Sequence, residues 1–296
     1  MKRLLVSLCC CMLSLAVAPL ALAQAPQTSG VIKVETRLVE VYATIYDRRG
    51  HYIDGLNPEN FQILEDGKSQ QILSFETSSH SLSCAILLDT TGSMAGALPR
   101  VKNSVTKLID ALDAQDAVAI YTFDEHLAVR QDFTTDKSAA KRAVLRIRAQ
   151  GNTALFDALS QAAQDLSARP GKKALVVFTD GEDNASVLSA TSAVALAKKV
   201  GIPLYAIAEG DAAHSKNLTA LLTDLSVRTG GSAYEVKKSD DIEHVFESIS
   251  QDLEHLYLIS YQPPSTQADE KWRKIDVVVK GINEARIRAK QGYFPN

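Results

Sequence analysis

Residues 85–93 read Ala-Ile-Leu-Leu-Asp-Thr-Thr-Gly-Ser. An apolar run ends here in one acid and two hydroxyls at alternate positions, Asp89, Thr91 and Ser93. An unbroken apolar stretch is what a strand buried on both faces looks like, as in a parallel sheet covered by helices. Residues 174–178 and 202–208 repeat the pattern. Between such strands the spacing becomes helical. Val101, Val105, Leu108, Ile109 and Leu112 predict a helix over 94–113. Further helices are predicted over 138–149, 154–167, 190–200, 218–229 and 240–256, with strands at 117–123, 127–133 and 233–236. The strand at 127–133 is expected to return as a hairpin. Strand and helix in alternation build βαβ units and a doubly wound, mostly parallel sheet, so the fold class is α/β.

Working outward, the flanks change character. Residues 31–47 alternate in two phases, and Asp47-Arg48-Arg49-Gly50 is a turn. Asp66-Gly67 between the runs at 61–65 and 71–75 signals a hairpin. After the last helix, strands are expected at 256–261, 274–279 and 285–289. Neither end carries enough strands to be stable alone. The economical arrangement is one β-sandwich made from a segment at 31–80 and a segment at 257–296, with the α/β domain at 81–256 inserted between them.

The first residues belong to export. Lys2 and Arg3 precede a mostly apolar stretch ending in Ala21-Leu22-Ala23, the pattern of a cleaved signal over 1–23, with a short leader at 24–30. The expected location is the periplasm or the medium. Cleavage takes two from the 32 Lys and Arg, and against 35 Asp and Glu the net charge moves from −3 to −5. An acidic exported chain is no candidate for nucleic acid or an anionic membrane surface. No segment after the signal is apolar and long enough to span a bilayer. Three of the four cysteines lie in the signal, so Cys84 alone remains, without an intrachain disulfide. Its place at the start of an apolar strand marks it as a small buried hydrophobe.

Ligands of an open parallel sheet gather at the carboxyl ends of its strands, where strand order reverses. Asp89 ends one apolar strand, and Asp180 follows another in Thr179-Asp180-Gly181. The loop Gly151-Asn152-Thr153 can deliver a further hydroxyl. Asp89, Thr91, Ser93, Thr153 and Asp180 are hard oxygen donors, suited to Mg²⁺, Mn²⁺ or Ca²⁺ and not to zinc. A dication held mainly by neutral oxygens keeps most of its charge and attracts an acid from a partner.

These residues resemble the metal-ion-dependent adhesion site of the von Willebrand factor A domains. That site reads Asp-x-Ser/Thr-x-Ser, then a Thr in a later loop, then an Asp. Here Asp89-Thr90-Thr91-Gly92-Ser93, Thr153 and Asp180 match in order, with Thr91 where Ser is commoner. The resemblance covers about residues 83–256. The flanks, with Glu65-Asp66-Gly67 and the closing Arg288-Ala289-Lys290-Gln291-Gly292-Tyr293-Phe294, are similar to an exported acidobacterial subfamily. The resemblance implies that Thr91 and Ser93 coordinate the ion directly and that Thr153 joins when a ligand is engaged. It also implies that the two acids act partly through water and that a protein partner supplies a carboxylate. No enzymatic activity is implied. A metal-dependent hydrolase or phosphotransferase would need a second acid where Thr91 stands, and the chain has no Gly-x-Ser-x-Gly or Gly-Lys-Ser/Thr loop. A third role is structural, with the ion only pinning loops.

Plainer readings apply to several of these groups. Thr91 or Ser93 could cap the following helix. Asp183 and Asn184 could be ligands, but a loop or cap role fits them better. His126, His214, His244 and His255 show no ligand spacing and are expected in solvent. Lys141, Arg142, Arg146 and Arg148 read as a solvated basic helix face, and Tyr257, Tyr261 and Tyr293 as sandwich core.

Overall fold

The computed structural model describes residues 38–77, 80–237, 241–264 and 271–295. The expected signal at 1–23, the leader and the first strand phase at 31–37 lie outside those residues. The elements in chain order begin with β1 (Val39–Tyr46), β2 (Phe61–Glu65), β3 (Lys68–Gln70) and β4 (Ile72–Glu76). They continue with β5 (Leu82–Asp89), α1 (Leu98–Ala111), β6 (Ala117–Phe123), β7 (Leu127–Thr134), α2 (Lys137–Leu145), α3 (Leu155–Ser167) and β8 (Lys172–Thr179). Next come α4 (Ala190–Val200), β9 (Leu204–Glu209), α5 (Gly210–His214), α6 (Lys216–Thr229), β10 (Ser232–Val236) and α7 (Asp241–Glu254). The last strands are β11 (Tyr257–Tyr261), β12 (Arg273–Val279), β13 (Arg286–Ala289) and β14 (Gly292–Tyr293).

The central sheet has six strands in the order β10-β9-β8-β5-β6-β7. Every neighbouring pair is parallel except β6 and β7, which form the expected antiparallel return. All eight residues of β5 are buried because both its faces are covered. Cys84, Ile86 and Leu88 pack into one core with α1, α2 and α7. Ala85 and Leu87 face the other core, with α3, α5 and α6. Burying each such Leu or Ile stabilises the fold by about 1.5–3 kcal/mol. No helix among the described residues is long and apolar enough to cross a membrane.

The flanking strands do form a sandwich. One sheet runs β13-β1-β11-β4 and the other β14-β12-β2-β3. Val41, Ile45, Phe61, Ile63, Ile259 and Ile275 share its core with Tyr257, Tyr261 and Tyr293. Two boundaries differ from expectation. The partner of β2 in the hairpin is β3, while the run at 71–75 crosses to the opposite sheet and pairs with β11 as β4. Asp66 and Gly67 both have positive φ, 47° and 79°, so the turn takes only two residues and the return strand starts at Lys68. The first long helix starts at Leu98, not 94, because residues 92–95 form a separate 3-10 turn. Pro99 fits only the first turn of a helix, where its missing N–H has no partner to lose.

A polar seam joins the sandwich to the α/β layers. Asp252 of α7 accepts hydrogen bonds from Tyr46 (2.9 Å) and Tyr52 (2.8 Å) and pairs with Arg288 at 2.6 Å. Lys173 of β8 pairs with Glu40 of β1 at 2.7 Å. The buried Lys290 donates to the Glu40 carbonyl at 3.0 Å. His255, expected in solvent, stacks on Tyr52 at 4.3 Å beside this seam.

Candidate metal centre

From β5 the chain moves to β6 and β7 on one side, then returns to β8 on the other side and continues outward to β9 and β10. Strand order therefore reverses between β5 and β8. Leu88 pairs with Phe178, so Asp89 and Asp180 emerge side by side at the carboxyl edge. This is the crevice where open α/β sheets bind their ligands.

Asp89 is wholly buried and held from two sides. Its Oδ1 accepts the Thr91 N–H at 2.9 Å, and its Oδ2 accepts the Thr179 hydroxyl at 2.8 Å. The first contact closes the tight turn that an Asp at a strand end favours. Thr91 begins the 3-10 turn, but its side chain makes no capping bond. The capping reading of these hydroxyls is therefore corrected. Thr91 Oγ1 and Ser93 Oγ lie 3.0 Å apart, and Ser93 donates to Asp180 Oδ1 at 2.8 Å. Asp89, Thr91, Ser93 and Asp180 thus form one hydrogen-bonded set.

Thr153 arrives from a separate loop. Gly151 lets that loop close, because its φ is +82° and a Cβ there would stand 2.8 Å from Asp124 Cβ. Gly92 N–H donates to the Gly151 carbonyl at 3.3 Å, tying the loop to the turn after Asp89. Thr153 is buried, and its Oγ1 lies 3.3 Å from where a Cβ on Gly181 would stand. Among the described residues no hydrogen bond joins its hydroxyl to the other four. Asn184 Oδ1 accepts the Thr153 N–H at 3.0 Å, and Asp183 Oδ2 accepts the Phe156 N–H at 2.9 Å, at the start of α3. Asp183 and Asn184 therefore hold the Thr153 loop in place, as their cap reading anticipates.

Thr179, expected from its sequence position to be a strand-end packing or hydrogen-bonding residue, anchors Asp89. One residue was not singled out. Glu209 ends β9 as Asp89 ends β5, and its sequence signal is the same: an acid directly after a buried apolar run. Glu209 Oε1 pairs with Arg100 at 3.1 Å, while among the described residues its buried Oε2 has no hydrogen-bond partner.

The electrostatics of the crevice are one-sided. Burial holds the Asp89 carboxyl above its ordinary range. Burial, with repulsion from Asp89 and Glu209, pushes Asp180 up to about 6. Among the described residues neither acid pairs with Lys, Arg or His. Two buried carboxylates without a cation, ringed by hydroxyls that can turn their lone pairs inward, fit a hard dication. Among the described residues no three His, Cys, Asp or Glu side chains cluster to hold a metal, so a site here depends on the hydroxyls.

The family model of the von Willebrand factor type A domain matches residues 84–248. No curated protein matches the chain. Among solved structures, a von Willebrand factor type A protein from Catenulispora acidiphila superposes with a TM-score of 0.51 at 16% identity, covering 70% of this chain and 64% of that one. Proximal thread matrix protein 1 from the mussel byssus does so with a TM-score of 0.51 at 17% identity, covering 64% and 51%. This chain spans less than two thirds of either structure. At these identities the likeness is one of fold.

Proposed function

The chain belongs to the von Willebrand factor type A family, and from that premise we propose that it is a non-enzymatic, divalent-cation-dependent protein-binding module acting outside the cytoplasm. The observation that carries this reading is the imbalance at the crevice. Among the described residues Asp89 and Asp180 meet only hydroxyls and backbone N–H groups, although both acids are buried. Mg²⁺, or Mn²⁺ or Ca²⁺ in its place, would be held by Asp89, Thr91, Ser93, Thr153 and Asp180. The ion supplies a positive charge that neutral hydroxyl ligands leave largely intact, so it accepts a carboxylate from a protein partner. Ser93, the exposed member of the set, faces that approach. The chain's own part is positional. Thr179 and the Thr91 N–H aim Asp89, and Asn184 sets the Thr153 loop. The signal-like pattern at 1–23 supports an exported location.

Asp89→Asn tests the reading with little change in shape. In affinity capture from an extract of exported proteins, the wild type retains a partner in Mg²⁺ and releases it into chelator. The variant retains none while unfolding at the wild-type midpoint in chelator. Equal capture by both proteins, or capture indifferent to chelator, contradicts the reading.

A further inference from the structure

Beside the metal loops lies an open cleft of about 560 Å³, bordered by Arg130, Arg142, Arg146, Arg148 and Gln150. The basic helix face expected from the sequence is only part of it. Lys141 turns away to pair with Asp110 at 2.5 Å, and Arg130 comes in from β7. The predicted helix stops at Leu145, and the N–H groups of Arg146 and Ile147 bond back to Ala143 and Val144. Ile147 is buried, while its neighbours Arg146 and Arg148 stay exposed at the cleft.

These guanidinium groups are poorly neutralised. Arg142 meets Asp136 only at 3.7 Å, and Arg130 donates to the Thr122 hydroxyl at 2.7 Å. Among the described residues the guanidinium groups of Arg146 and Arg148 have no hydrogen bond or ion pair. Lys102 adds a further positive charge, its Nζ bonded to the carbonyls of Leu145 and Ile147. Burial, and then Arg148, hold that ammonium below its ordinary range. In a chain of net charge −3 this concentration runs against the composition. A guanidinium matches a carboxylate with two parallel hydrogen bonds.

The chain itself links the border of the cleft to the crevice. Gln150 at its border donates its N–H to the Thr90 carbonyl at 2.5 Å, and the same strip of chain runs through Gly151 to Thr153. We propose that the cleft receives an acidic segment of the protein partner whose carboxylate the metal accepts, with Asp or Glu side chains of that segment pairing with Arg142, Arg146 and Arg148. This rests on the metal reading above, yet it can fail separately from it.

The test is anisotropy of a fluorescein-labelled poly-glutamate peptide with the full chain. In chelator the wild type binds it, more weakly as salt rises. Arg146→Gln with Arg148→Gln weakens this binding roughly five- to tenfold at low salt, as loss of two exposed charge pairs should. Arg146→Lys with Arg148→Lys recovers part of it. Asp89→Asn leaves the chelator-insensitive binding intact but loses any tightening by Mg²⁺, so a failed metal site and a failed cleft give different patterns. Unchanged affinity in the glutamine variant overturns the proposal. Tighter binding of a single-stranded oligonucleotide of equal charge, or displacement by millimolar phosphate alone, overturns it too.

Discussion

The crevice at Asp89 and the seam at Asp252 are both buried clusters of carboxylates and hydroxyls, and they are balanced in opposite ways. At the seam each acid meets a cation of the chain itself: Asp252 meets Arg288, and Glu40 meets Lys173. At the crevice, among the described residues, the Asp89 and Asp180 carboxylates meet hydroxyls and backbone N–H groups and no cation. A charge pair closed within the chain holds two layers together. Charge left open at a strand-end edge fits an ion from outside, as proposed above. Burial alone therefore does not single out a candidate site; burial without a matching cation does.

Substitutions at the seam are the harshest test of that contrast. Arg288→Met leaves Asp252 buried beside two tyrosines and should cost about 3–5 kcal/mol in urea unfolding. A loss under about 1 kcal/mol would mean that the seam pairs are not matched as described. Asp89→Asn should do the reverse. In chelator its unfolding midpoint stays at the wild-type value, since Oδ1 still accepts and Thr179 can reorient. Its Mg²⁺ affinity should fall by more than about 100-fold, beyond what loss of an outer-shell partner costs at metal sites.

Lys290 sharpens the contrast from within the seam, because it donates to the Glu40 carbonyl and, among the described residues, forms no ion pair. Burial lowers it from 10.5 to about 8. The unfolded chain therefore holds the proton that the folded chain has lost between those values. Stability should climb with pH from about 8 to 10, by about 2 kcal/mol at most. Above that range the tyrosines reverse the trend, since burial raises Tyr46 and Tyr52 in the folded state. Lys290→Met should flatten the rise in urea midpoints measured across the window, and a wild-type curve without the rise would count against a buried ammonium. The mildest effect is expected of Thr179→Val. It removes one donor to Asp89, and titration calorimetry should show Mg²⁺ affinity about tenfold weaker.

The sheet was legible because both-face burial writes itself as apolar runs, as in residues 84–88 and 174–178. The proximity of Asp89 and Asp180 was readable only on the condition that their strands are neighbours, and the pairing of Leu88 with Phe178 meets that condition. Other features leave no such trace. The hairpin partner of β2 was misplaced because three polar residues, Lys68 to Gln70, carry no strand pattern. The seam joins residues about 200 positions apart, such as Tyr52 and Asp252, and their pairing has no local signature. The arginine cleft needs a strand residue, Arg130, beside a helix end that stops short. Glu209 was readable in principle, since it too is an acid after an apolar run.

In the proposed function the crevice binds a divalent cation through Asp89 and its hydroxyl neighbours. The decisive experiment titrates the metal-free chain into Mn²⁺ and follows loss of the free-ion paramagnetic resonance signal. One Mn²⁺ is expected to bind per chain, displaced by Mg²⁺ and lost in Asp89→Asn. No binding at millimolar Mn²⁺, or equal binding by the variant, rules the metal site out.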